Sequence, residues 1–87
     1  MPENTPQAVV DAGGEEWSRV EVLLDRYARE LAGGVLEIHT RHPEVPEAIG
    51  AWCARWGHTV LAAHAVKGVT GLHIRLSSTW RRHAFPG

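Results

Sequence analysis

Among the 87 residues of this chain, the side chains equipped for covalent or metal chemistry are one cysteine, Cys53, and six histidines. A lone thiol can act as a nucleophile or carry a sulfur atom, but it makes neither an intrachain disulfide nor a thiolate zinc cluster. Cys53 follows Trp52 and stands four residues after Ile49, on the flank of an apolar helical stripe. That placement predicts packing as a small hydrophobe. Arg55 is the one basic residue near it, and a mid-helix thiol gains little from the helix dipole. A persulfide on Cys53 is the sharper alternative, and it requires an exposed thiol. Imidazoles could hold zinc, copper or nickel, yet the chain has no tight His-x-x-x-His helix pair, and no carboxylate–histidine cluster is expected. Glu15-Glu16 point different ways on a helix and complement its dipole. Gly13-Gly14 and Gly33-Gly34 belong to turns, and neither forms part of a phosphate-binding loop.

Ten acidic and nine basic residues leave a formal charge of −1. That balance supplies no field to draw the chain to nucleic acid or an anionic membrane. Arg81-Arg82 alone do not make a basic patch, but Trp80 and Arg81 in the tail are the residue types that anchor protein interfaces. No apolar run approaches the roughly 18 residues of a membrane span. The polar stretch Met1 to Pro6 does not read as a secretory leader, so a cytoplasmic location is expected.

The elements that must position these residues follow from periodicity. Residues 1–7 read as a disordered lead, residues 8–76 as one domain and residues 77–87 as a tail. Ala8 to Val10 is a short strand ending in the turn Asp11-Ala12-Gly13-Gly14. Trp17, Val20, Leu24, Tyr27 and Leu31 then recur at helical spacing, widened by Leu23 and Ala28, until Gly33-Gly34 stops the helix. Val35 to Thr40 alternates, with Leu36 and Ile38 on one side and Glu37 and His39 on the other. After Arg41-His42-Pro43 a second helix opens with Pro46 in its first turn. It carries Val45, Ile49, Trp52 and Trp56 on its stripe and ends at Gly57. On these stripes Trp17, Trp52 and Trp56 are expected in the core. Thr59 to Val66 and Thr70 to Leu76 form a hairpin around Lys67-Gly68-Val69. The order strand, helix, strand, helix, strand, strand has two right-handed crossovers. It predicts an α/β two-layer sandwich, a four-stranded mixed sheet with two helices on one face and the other face open.

That order, with these residues, resembles the TusA/SirA-like family of small sulfur-carrier proteins over roughly Val9 to Leu76. Ala51-Trp52-Cys53 followed by Gly57-His58 is similar to the family's second-helix ending and its entry into the third strand. Leu36-Glu37-Ile38 and Thr40 to Pro43 are similar to its second strand and following turn, where Arg41 and His42 replace the usual acidic residues. Val10-Asp11-Ala12 and Gly14 match its first strand and glycine turn. The family's hallmark, Cys-Pro-x-Pro at the mouth of the first helix, falls on Trp17-Ser18-Arg19-Val20, so the cysteine and both prolines are absent. The resemblance therefore implies a carrier fold without the carrier thiol, and a protein-binding or regulatory role in sulfur trafficking. Trp17, Ser18, Arg19, Trp80 and Arg81 would form the partner surface. A cysteine desulfurase, a rhodanese or another sulfur acceptor would be the partner, with no cofactor. The related fold also sets the second strand beside the fourth and the fourth beside the third, which places His39 and His73 on the helix-free face. His64 joins them if its strand has the same parity, a point that the run Val60, Leu61, Ala62, Ala63 leaves open. These three histidines could make a metal site, with His42 near enough in the turn to add a ligand, and the open face could serve a homodimer.

Overall fold

The computed structural model describes residues 5–78; Trp80 and Arg81, expected at the partner surface, lie outside them. The elements are β1 (Ala8–Gly13), α1 (Trp17–Glu30), β2 (Val35–Thr40), α2 (Val45–Trp56), β3 (Thr59–Val66) and β4 (Val69–Arg75). They occur in the expected order. The sheet runs β1-β2-β4-β3, with β1 parallel to β2 and the other two pairs antiparallel. It is the four-stranded mixed sheet expected of this pattern.

Alternation decides which residues face the helices. Val10 and Ala12 of β1, Leu36 and Ile38 of β2, and Leu72 and Ile74 of β4 are buried together with Val20, Leu24 and Ala28 of α1 and Val45, Ile49, Trp52 and Cys53 of α2. This one layer of side chains between sheet and helices is the hydrophobic core, and its burial supplies most of the driving force for folding.

Local signals set the boundaries. Strand β1 runs three residues beyond the predicted Val10, because Asp11 Oδ1 accepts from Gly13 N (2.9 Å) and Gly13 O accepts from Arg41 N (2.7 Å), which carries the β1–β2 pairing through an irregularity. At the other end Gln7 N donates to Val35 O (2.8 Å), so this ladder begins within the stretch read as a lead. Gly57, in the left-handed region, caps α2 and turns the chain into β3. The hairpin turn is Lys67-Gly68, both at positive φ, the type I′ geometry that suits the twist of two antiparallel strands. The two-residue turn starts β4 at Val69, one residue earlier than the alternation indicated.

Candidate functional site

Two places gather functional side chains: the groove between the helices, and the helix-free face of the sheet.

Trp17 opens α1. Ser18 and Arg19 beside it are exposed, and Arg19 Nε lies 3.6 Å from Glu15. Glu16 occupies the N-cap without a side-chain capping bond. The helix mouth thus carries an indole and acidic side chains where a sulfur anion would need positive potential. Cys53 lies on the inner side of α2, 3 % exposed, and burial pushes its thiol up to about 12. The thiolate is the reactive form, and this environment suppresses it.

Only one of the three helix tryptophans enters the core as expected. Trp52 is buried. Trp17 and Trp56 are half-buried and line a shallow groove of about 190 Å³ with Glu21, Ala48, Ala51 and Arg55. Both tryptophans pack against the core from the flanks of their stripes, and the small Ala48 and Ala51 beside them leave the groove open. The Arg55 guanidinium stacks over Trp56, 5.0 Å from the ring centroid. A partly desolvated tryptophan pair with a stacked arginine is the composition of a protein-binding hot spot.

Beneath this groove lies a polar contact absent from the sequence reading. Trp52 Nε1 donates to Asp25 Oδ1 across 2.9 Å, between the two helices. Trp52 also packs on the His58 ring, with centroids 4.4 Å apart. His58 Nδ1 accepts from Ser77 N (2.9 Å), tying the end of α2 to the chain after β4. Burial lowers the His58 pKa, and the Asp25 charge opposes that shift. The available signal was positional. Asp25 follows Leu24 and precedes Ala28 by three residues, which places a carboxylate on the flank of the buried stripe, where it needs a donor.

On the open face, β3 contains a bulge. Val60 pairs with Ile74 and Ala62 with His73, leaving Leu61 as an extra residue. The bulge decides the parity: His64 stands opposite Gly71, which stands opposite His39 on β2. His39, His64 and His73 therefore share the helix-free face and, with Glu37, Val66 and Val69, line a depression of about 160 Å³. The His39 ring lies over Gly71, whose Cβ, if present, would come within 3.2 Å of it, so the missing side chain leaves room for the imidazole.

Contrary to the sequence expectation, Glu37 organises a carboxylate–histidine cluster, because the pairing of β2 with β4 sets it opposite His73. Its Oε2 lies 2.5 Å from His39 Nε2 and its Oε1 lies 3.1 Å from His73 Nε2. An ionised carboxylate only accepts, so both imidazoles donate from Nε2. This arrangement turns the two rings toward one carboxylate. Among the described residues, no group of three or more histidine, cysteine or acidic side chains is placed to hold a metal ion. The fourth histidine considered, His42, accepts from Glu44 N through Nδ1 (3.2 Å) in the turn before α2.

The hydrogen bond from His39 holds the Glu37 carboxyl below its ordinary 4.5; partial burial opposes this, and the charges of His73 and His39 add to the lowering. A carboxyl whose folded pKa is depressed stabilises the fold above its unfolded value and loses that contribution as pH falls through the folded value. Wild type is therefore expected to exceed Glu37→Gln in urea midpoint near pH 6, and the gap to narrow as pH falls below the carboxyl's ordinary 4.5. A gap unchanged down to pH 3 would show that the carboxylate charge plays no part.

No protein-family model matches this sequence, and no curated protein matches it. Among the described residues, no helix is long and apolar enough to cross a membrane.

Proposed function

We propose that this chain is a non-catalytic binding protein whose sulfur-carrier-like fold has lost the carrier thiol, acting on a protein partner of a sulfur-relay type such as a cysteine desulfurase, a rhodanese or another sulfur acceptor. The burial of Cys53 carries the reading: the chain's single thiol sits inside the core with its ionisation suppressed. Trp17 at the first helix mouth supports it, since that position holds the cysteine in the family this chain resembles. The surface offered to the partner is the groove bounded by Trp17, Trp56 and Arg55, with Ser18 and Arg19 at its entrance. Its aromatic and guanidinium groups suit protein recognition and provide no nucleophile.

Intact mass after incubation with a cysteine desulfurase and cysteine, alongside Cys53→Ser, tests this directly. Wild type is expected to keep its mass under conditions that load a competent carrier. An added sulfur that disappears in Cys53→Ser would overturn the reading and make the protein a carrier with its persulfide on Cys53.

A further inference from the structure

The sheet has two edges, β1 and β3, and they differ in charge. Natural edge strands are usually protected from pairing by lysine, proline, other charge or a bulge, and the β3 bulge at Leu61 lies outside the stretch Ala62 to Val66. Strand β1 carries Asp11, and the inner strands carry Glu37 and Arg75. The eight residues of β3, Thr-Val-Leu-Ala-Ala-His-Ala-Val, include neither proline nor any Asp, Glu, Lys or Arg. From Ala63 to Val66 every residue is exposed, Val66 at 63 %. Among the described residues, β4 is the only strand paired with β3.

The hairpin determines which backbone groups are available. A two-residue type I′ turn makes its flanking residues, Val66 and Val69, a hydrogen-bonded pair, and the pattern then alternates along the ladder. His64 faces Gly71 in the next bonded pair. Ala63 and Ala65 fall at the non-bonded positions, so their N–H and C=O groups point away from β4, toward the open edge.

We propose that β3 pairs antiparallel with β3 of a second copy of this chain about a two-fold axis at His64, joining the two sheets into one. In this register Ala63 of each copy exchanges N–H···O bonds with the second copy's Ala65, and the two His64 residues stand directly opposite. A two-fold antiparallel pair sets the residue on the axis against its own copy, so a charge at or beside the axis lies close to a like charge. Of the two edge strands, β1 carries Asp11, and β3 carries no charge to incur that penalty. The methyl groups of Ala63 and Ala65, exposed on the helix side, allow close approach, and Val66 lies against the second copy's Ala62. The histidine-lined depressions, each including His64 and Val66, would meet across the axis. One strand edge covers less area than the roughly 800 Å² per partner of a standard stable interface, so the dimer is a weak one, with a Kd in the micromolar range.

Sedimentation equilibrium of the wild-type protein, up to about 1 mM to cover that range, should show a monomer–dimer equilibrium. Ala65→Pro removes an outward N–H and leaves the β4 ladder intact, so it should weaken association about tenfold or more. His64→Lys and His64→Glu, checked for folding by circular dichroism, should each weaken it, and an equimolar mixture should associate more tightly than either variant alone. A strictly monomeric wild type would overturn the proposal. So would a dimer that neither Ala65→Pro nor the His64 variants weaken, or a mixture no tighter than its components.

Discussion

Cys53 in the folded protein is expected to react with iodoacetamide at least a hundredfold more slowly than in denaturing urea. Two effects act in opposite directions. Raising the thiol from 9.0 to about 12 reduces the thiolate population at neutral pH about a thousandfold. A more basic thiolate is intrinsically more nucleophilic, with a Brønsted slope of about 0.4–0.5, which restores roughly fifteenfold to thirtyfold. About fiftyfold of protection remains from ionisation, and burial at 3 % exposure adds the requirement that the core open before reagent can enter. Timed mass spectra of the alkylated protein, native and in urea at the same pH, measure the ratio. Native reactivity within about tenfold of the unfolded chain would mean that solvent reaches the thiol, and would move the functional reading toward a carrier with its sulfur on Cys53.

Asp25→Ala should cost about 2–4 kcal/mol, a large share of the stability that a domain of this size commands. The substitution leaves the Trp52 indole N–H buried between the helices without its acceptor, and a buried donor left unsatisfied costs more than the bond it lost contributed. It also removes the negative charge that partly offsets the burial of His58. Asp25→Asn keeps an acceptor oxygen at the same reach and should lose about 1 kcal/mol. Urea denaturation of the three proteins at pH 7, compared at constant m-value, separates these outcomes. Equal stability of Asp25→Ala and wild type would show that the Asp25–Trp52 contact contributes nothing to holding α1 on α2.

The two surfaces have different consequences for regulation. The helix groove presents the half-buried rings of Trp17 and Trp56, whereas the open face carries a carboxylate and three imidazoles. Glu37 couples two imidazoles within a single carboxylate's reach, and His64 borders the same depression from the edge strand. Pairing through β3 would therefore place the open face of one copy beside that of its mate without covering the Trp17–Trp56 groove, which lies on the helix side.

The sequence by itself determined the order of the elements and which face of each is apolar. Alternation in Val35 to Thr40 and helical spacing from Trp17 to Leu31 and from Val45 to Trp56 are local patterns, and burial imposes them whatever the neighbours are. Tertiary structure alone decided how the polar residues were used. The parity of His64 depends on the single extra residue Leu61 in the β3–β4 ladder, and a run of Val, Leu and Ala carries no alternation to reveal it. Glu37 meets His73 only because β2 pairs with β4 across a crossover, which brings together residues 36 positions apart. Asp25 finds Trp52 because α1 and α2 lie on the same face of the sheet, and the same packing leaves Trp17 and Trp56 at the rim, where the small alanines beside them leave the groove open. Apolar patterns are legible because each residue's preference is for leaving water. A hydrogen bond or a groove requires a particular partner, and for these residues only the folded chain supplies one.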